Sequence, residues 1–360
     1  MTLNNEKRLE LIKQVGEEIL TEQELTELLE AKKHPIAYDG FEPSGNPHIA
    51  QGIMRAININ KMTKAGVKFK MFVADWHAWA NNKMGGDLEN IQTVGKYLME
   101  IWKVSGMDLD NVEFIWASDL VKDDTYWKLV MQMSRNSTVN RIVRCSQIMG
   151  RSESEQLSAS QILYPCMQAA DIFYLGADIC QLGMDQRKVN VLARELGPKL
   201  GYYKPVCIHH HMLLGLGEPP AAGADTIERA ISLKMSKSKP DTAIFMTDTE
   251  EQIKAKIKKA YCPEKIVHEN PVMDYARYLI FEKFPTVEVK RPEKFGGNVE
   301  YTSYAELEKD YAEGKLHPLD LKNTVAGYTN DIIAPVREHF DKNTQAKRLF
   351  EQVQKLQITR

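Results

Sequence analysis

Residues 40–52 read GFEPSGNPHIAQG, and the fold turns on how this stretch is parsed. Before it, HPIAYD (34–39) has the apolar content of a short strand; after it, IAQGIMRAININKMTKAG (49–66) has helical spacing. A strand, a small-residue loop and a helix in that order form either an ordinary turn or a phosphate site. Gly40 and Gly45 let a ligand approach the backbone closely. Gly45 and Pro47 turn the chain ahead of His48, and a helix beginning near His48 points free N–H groups at an anion. His48 can donate to phosphate oxygens, whereas Gln51 can hydrogen-bond without adding charge.

Working outward, the same rhythm repeats. VKFKMFVAD (67–75), NVEFIWASD (111–119), ADICQLG (177–183) and KPVCIHHHML (204–213) read as strands. DLENIQTVGKYLMEIWKVSG (87–106), SASQILYPCMQAADIFYLG (158–176) and DQRKVNVLARELG (185–197) read as helices. This alternation predicts an α/β, Rossmann-like parallel sheet with helices on both faces and ligands at the carboxyl ends of its strands. Residues 5–31 read as polar amphipathic helix, with Thr21 and Glu24 spaced as a capping box. The expected division is an N-terminal helical segment (1–35), a catalytic domain (36–248) and a mostly helical C-terminal domain (249–360).

The chain has 360 residues, enough for one large domain of roughly 200 residues and a smaller one. Its net charge of −2 excludes a polybasic nucleic-acid binder but leaves room for local basic patches. The five cysteines are scattered without a CxxC, which supports neither a zinc knuckle nor a disulfide framework. The mixed-charge start MTLNNEKRLELIKQ and the absence of an 18-residue apolar run lead us to expect no export signal, no membrane span and a cytoplasmic location.

A second signal, KMSKS (Lys234, Met235, Ser236, Lys237 and Ser238), follows the loop LGLGEPPAAGA (214–224). It is either a solvated basic loop or a set of point charges suited to a leaving pyrophosphate, acting by transition-state electrostatics. HIAQ looks like a variant of the HIGH motif of class I aminoacyl-tRNA synthetases, and KMSKS matches their other signature. From about Thr21 to Phe340 the chain resembles the tyrosyl-tRNA synthetases of the eukaryotic and archaeal kind. YDGFEPSG, ADWHAW, YPCMQAAD, GMDQRK, KMSKS, AYCP, RPEKFGG and LHPLDLK occur in that family's order.

The resemblance implies ATP, arriving with Mg²⁺ and without a dedicated protein metal site, and tyrosine and its tRNA as the other substrates. It implies a homodimer, for which 125–150 is a candidate interface. Nucleotide contacts fall to Gly40, Ser44, Gly45, His48, Ala50 and the KMSKS residues; Lys234 and Lys237 grip phosphates. Gln51 stands at the last place of HIGH, and Lys237 is read as offsetting what this glutamine lacks. Asp185 of GMDQRK can accept from ribose hydroxyls. Arg187 and Lys188 are either a solvated pair or, as in the related enzymes, contacts to the acceptor stem.

Tyr164, Gln168 and Asp171 lie at i, i+4 and i+7, on one helix face. Polar groups on such an apolar face need partners. A zwitterionic substrate provides them: its ammonium suits Tyr164 and Gln168, and a phenol could donate to Asp171 and pair with Tyr38. Otherwise Asp171 is a cap or an ion-pair residue. The resemblance adds Gln186 to the ammonium site. His77 is either paired with Asp75, on an extended strand end, or part of the pocket floor, and the family favours the floor. The consecutive His209, His210 and His211 point to alternate faces of a strand, against a shared metal. In the C-terminal region, Phe295 and, at a helix start, His317 and Asp320 match the family's receiver of the first anticodon base; otherwise they are a core aromatic and a capping aspartate. The rival readings are a tryptophanyl-tRNA synthetase, a non-catalytic RNA-binding relative and, without a GxGxxG to support it, a dinucleotide oxidoreductase.

Overall fold

The computed structural model describes residues 3–150, 156–220, 229, 232–235 and 240–356. Six strands form one sheet: β1 (Glu18–Leu20), β2 (Ile36–Phe41), β3 (Lys68–Val73), β4 (Val112–Trp116), β5 (Ile179–Gly183) and β6 (Val206–His210). Their order is β1-β6-β5-β2-β3-β4. All pairings are parallel except β1 with β6. The expected parallel α/β sheet is therefore present, with a correction at its edge. Residues 5–31 are not continuous helix; they are two helices, Asn5–Lys13 and Glu22–Ala31, flanking an antiparallel edge strand. The Thr21 capping box opens the second of these helices, its hydroxyl accepting from Glu24 N and Glu24 reaching back to Thr21 N.

Chain order reverses between β2, which leads out to β3 and β4, and β5, which leads the other way to β6. That switch point opens a crevice at the strand carboxyl ends. The opening stretch leaves β2 there. Gly45 makes its turn at φ +100°, a conformation that favours glycine. The following helix begins as a π-helical turn (Ala50–Met54) and continues as Arg55–Lys64. This turn is fixed from below by Trp102, fully buried on the helix Leu88–Val104, whose indole N–H donates to Gln51 O at 2.8 Å. Phe41 and Phe114 pack on either side of the same indole.

ADWHAW is helical (Asp75–Ala80), so the extended-strand pairing of Asp75 with His77 does not occur. Successive helical residues turn through about 100°, and the two side chains diverge. Asp75 accepts from Gln92 and from Ser118 N, while His77 turns to Asp171.

The C-terminal region is mostly helical, as expected, but it also contains an antiparallel ribbon, β7 (Val287–Val289) with β8 (Val299–Tyr301). RPEKFGG is the loop of that ribbon. The region shares one apolar core with the sheet domain: Ile49 and Ile53 of the signature turn belong to the same cluster as Ile253, Leu279 and Ile333. The last helix, Thr344–Lys355, brings Phe350 against Tyr97 of Leu88–Val104. The two signature segments thus sit on a foundation that includes the C-terminal helices.

Candidate active site

The crevice is a cleft of about 1070 Å³. Its lining includes Tyr38, His77, Tyr164, Gln168, Asp171 and Gln186 at one end. At the other lie Ser44, His48, Gln51, Asp185, Lys234 and Met235, with Gly40 and Ala50 also lining it. The helix Ala159–Tyr174 supplies Tyr164, Gln168 and Asp171 from one face. Ser158 starts this helix with a capping box, so its register is set immediately before the pocket.

At the floor, Asp171 is almost wholly buried, and both its oxygens have protein contacts. Tyr126 OH donates to Oδ1 at 2.9 Å, and His77 Nε2 lies 2.9 Å from Oδ2. Burial pulls the His77 pKa down most strongly, but the charge and hydrogen bond of Asp171, with the charges of Glu42 and Asp75, together outweigh it and the net shift is upward. Burial first, and then the Asp171 charge, pushes the Tyr126 phenol well up, so it stays a donor. Beside them Tyr38 is buried to 1% exposure, and its hydroxyl has no partner among the described residues. Burial chiefly holds this phenol too well above its ordinary range. A buried hydroxyl without a partner is unfavourable by about 1–3 kcal/mol, so Tyr38 is arranged for a group that is not part of the chain.

One turn along the helix, Gln168 Nε2 donates to Gln186 Oε1 at 3.0 Å, and Gln186 Nε2 donates to Ile148 O at 3.1 Å. This chain of amides fixes which atom is left over: the buried Gln168 Oε1, an acceptor with no partner among the described residues. Tyr164 is held beside Glu42; burial and then that carboxylate raise its pKa well above the usual value. Glu42 also accepts from Asn81 at 2.9 Å and lies 3.6 Å from Lys83 Nζ. Sequence reasoning missed Glu42, which places an acidic side chain beside Tyr164 in the cleft lining. The alternation Tyr38, Gly40, Glu42 at the end of a strand was the available signal. It also missed Tyr126, which carries no local motif and meets Asp171 only through tertiary packing.

The nucleotide end differs from expectation in one respect. The helix entrance does not offer a row of free N–H groups. Ile49 N donates to Ile244 O at 2.8 Å, because His48 pairs with Phe245 in an isolated antiparallel bridge, and His48 N faces Gln51 Oε1 at 3.4 Å. Anion contacts there fall mainly to side chains. Lys234 Nζ lies 2.5 Å from Asp185 Oδ2, so the lysine and the carboxylate expected to hold different parts of ATP hold each other. Gly183 permits this fold-back: a Cβ there would lie 2.6 Å from both Asp185 Oδ1 and Met212 Sδ. Lys237, Ser236 and Ser238 lie outside the described residues.

Under this end runs a buried network absent from the sequence reading. Arg55 pairs with Asp39 at 2.7 Å and also reaches Gln181 and His210. Burial pushes the Asp39 pKa up to about 7 against the pull of Arg55. The three histidines go to three separate networks: His209 to Glu18 and Asn190, His210 to Arg55 and Gln181, His211 to Asp274. Among the described residues no cluster of three or more metal-ligating side chains is found.

Of the expected RNA contacts, Arg187 is tied to Glu18, its Nε 2.9 Å from both carboxylate oxygens. Phe295 is 61% exposed at the tip of the ribbon loop, which removes the core-aromatic alternative. His317 rather than Asp320 caps the helix Pro318–Lys342, its Nδ1 accepting from Leu319 N at 3.1 Å. Arg291 of the Phe295 loop donates to Lys315 O at 2.9 Å, bringing that loop beside this helix start.

Comparison with known proteins agrees with this geometry. A family profile of class I tRNA synthetases (W and Y) matches residues 30–334. Tyrosine–tRNA ligase 1, cytoplasmic, of Arabidopsis thaliana is 52% identical over 358 residues, 99% of this chain and 90% of its own length. Tyrosine–tRNA ligase of Thermococcus kodakarensis is 46% identical over 368 residues, 97% of this chain and 98% of its own. The crystal structure of tyrosyl-tRNA synthetase complexed with L-tyrosine from Pyrococcus horikoshii superposes with a TM-score of 0.90 at 42% identity, covering 97% and 100% of the two chains. A tryptophanyl-tRNA synthetase structure from Plasmodium falciparum, at 18% identity and a TM-score of 0.67, shares the fold. The chain therefore belongs to the class I tRNA synthetases of the tryptophan and tyrosine family.

Proposed function

We infer that this chain is an ATP-dependent tyrosine–tRNA ligase. The observation that carries the choice of tyrosine is the buried pair of Tyr38 OH, without a partner among the described residues, and Asp171 at the closed end of the cleft. A phenol can donate to Asp171 and accept from Tyr38. An indole N–H only donates, and a phenylalanine ring does neither. Either of these would leave a buried polar group unpaired.

The chemistry requires no strong base. A carboxylate oxygen of tyrosine attacks the α-phosphorus of ATP; the bond to the bridging oxygen breaks and pyrophosphate leaves. A terminal ribose hydroxyl of the tRNA then attacks the tyrosyl carbonyl carbon, and AMP departs. Catalysis is by alignment and by stabilising charge on the transferring phosphate. In this reading Glu42, Tyr164, Gln168 and Gln186 hold the ammonium, and Asp185 holds the ribose. His48, Gln51, Lys234 and Lys237 act on the phosphates, with Mg²⁺ entering as part of the ATP complex.

Arg187 and Lys188 would meet the acceptor stem after Arg187 exchanges Glu18 for phosphate or base. Phe295, His317 and Asp320, in the 249–360 region, would receive an unpaired anticodon base by stacking and hydrogen bonding. A homodimer through 125–150 is supported by two apolar side chains on its helices, Met131 at 55% and Val139 at 62% exposure. The cytoplasm is the expected compartment.

The test is ATP–pyrophosphate exchange with tyrosine, phenylalanine or tryptophan. Tyrosine should support exchange, with phenylalanine disfavoured by roughly 10⁴-fold or more. Exchange driven by tryptophan instead would overturn the assignment.

A further inference from the structure

We propose that Asp274, in the helical region, is a positioning residue for Lys234, and that through it the seating of that region sets how the enzyme engages ATP. The inference rests on the reading that Lys234 acts on ATP. Asp274 lies on the short helix Pro271–Tyr275, which is anchored by Asn270, whose Oδ1 accepts from Val272 N and Met273 N. Its carboxylate is 10% exposed and faces away from its own region, toward the loop that follows β6. There Oδ2 accepts from Leu214 N at 2.9 Å.

Leu214 is the residue that pairs with Lys234 in an isolated antiparallel bridge. Two backbone hydrogen bonds frame that bridge: Met235 N donates to Leu213 O at 3.0 Å, and Gly215 N donates to Leu233 O at 2.9 Å. Met235 itself is 4% exposed, so the backbone here is held on both sides while the Lys234 side chain extends to Asp185. A continuous path of short contacts therefore runs from Asp274 through Leu214 and Lys234 to Asp185 in the cleft.

His211 locks the other end. Its Nε2 lies 2.9 and 3.0 Å from the two Asp274 oxygens, its Nδ1 lies 3.6 Å from Glu17, and its ring stacks on Tyr278 with centroids 4.1 Å apart. One histidine thus joins the segment before β1, the end of β6 and the helical region. A carboxylate that accepts from a backbone N–H while paired with a histidine has little rotational freedom, so the Leu214–Lys234 bridge has a fixed height above the sheet. Among the described residues this pairing is an isolated bridge, and a pairing so short depends on such a support.

The experiment is tyrosine-dependent ATP–pyrophosphate exchange by the full chain, with separate KM values for ATP and tyrosine. Asp274→Ala should raise the ATP KM about tenfold, the effect of losing one charge-assisted hydrogen bond, and leave the tyrosine KM within about twofold. Asp274→Asn keeps a carbonyl that can accept from Leu214 N and should recover most of that loss; a purely structural role for the ion pair would not show such rescue. His211→Asn, which leaves Asp274 in place but unlocked, should raise the ATP KM by a smaller factor, again without moving the tyrosine KM. An unchanged ATP KM in Asp274→Ala, or an equal rise in both constants, overturns the proposal. If that variant does not fold, the same two outcomes in His211→Asn decide it. Failure of the parent chain to exchange with tyrosine would instead count against the function itself.

Discussion

The two ends of the cleft are prepared for their ligands in opposite ways. At the closed end two polar atoms are held ready: among the described residues Tyr38 OH and Gln168 Oε1 are buried without a protein partner, each fixed by packing or by an amide chain. At the open end several polar groups have partners within the protein: Lys234 has Asp185, Asp39 has Arg55, and Ile49 N has Ile244 O. The first arrangement stores unfavourable desolvation that only the right side chain relieves, which is how a rigid site discriminates. On the proposed reading, the second would require an exchange of partners when ATP arrives, so contacts to the phosphates would form together with the rearrangement. On that reading, selection of the amino acid would be built into the resting structure, whereas engagement of the nucleotide would be conditional.

The strongest test of this contrast is Asp171→Ala. Removing the carboxylate takes away the expected acceptor for the phenol. It also leaves Tyr126 OH and the His77 imidazole facing each other without the charge that joins them. Tyrosine-dependent exchange should fall by roughly 10³-fold or more in kcat/KM, with the ATP KM little changed. A loss confined to ATP binding would mean that the closed end is not the amino-acid end.

Next in size is Lys234→Ala. If Lys234 leaves Asp185 to act on the phosphates, its removal should lower kcat for adenylate formation by about 10²-fold, in the range of one lost transition-state donor. It should also free Asp185, so the ATP KM should rise less than kcat falls. Pre-steady-state measurement of adenylate formation separates the two constants. A variant with parental kcat would show that the Lys234–Asp185 pair is the final arrangement and not a resting one.

These distinctions mark what was legible in the chain. Strand and helix alternation, the positions of Tyr164, Gln168 and Asp171 on one face, and the helix start at His317 follow from local periodicity and end signals, and the structure has them. What was not legible is tertiary pairing. The edge strand Glu18–Leu20 is three residues long, too short for a period to register, and exists because β6 offers it an edge. Tyr126 lies 45 residues from Asp171 and Arg55 lies 126 from Gln181, and no spacing rule connects them. The helix entrance at His48 was read as an open anion site because the strand-like segment that covers Ile49 N comes from residue 244, on the far side of the KMSKS loop. Glu42 was legible in principle, from the strand-end alternation that also places Tyr38.

The smallest expected effect concerns stability and tests whether the open end is as well satisfied as its geometry suggests. Asp39 has Arg55 at 2.7 Å, yet burial outweighs this partner, with Asp185 adding repulsion, and lifts its pKa to about 7. The ordinary aspartate value is near 4. A carboxyl with a raised pKa binds its proton more tightly in the folded chain, so its contribution to stability is fully present below about pH 4 and declines as pH rises toward 7. Asp39→Asn cannot titrate and lacks this decline. Relative to the parent it should therefore become more stable on going from pH 5 to pH 8, by an amount on the order of 1–3 kcal/mol. If Arg55 dominated instead, the aspartate would already be ionised in both the folded and the unfolded chain at pH 5, and the difference between variant and parent would not change between the two pH values. Urea midpoints of parent and variant at the two pH values give the sign directly. A difference that stays constant between the two pH values would mean that Asp39 and Arg55 are a satisfied ion pair at this end of the cleft. The predicted sign would mean that a proton is the third partner in that network.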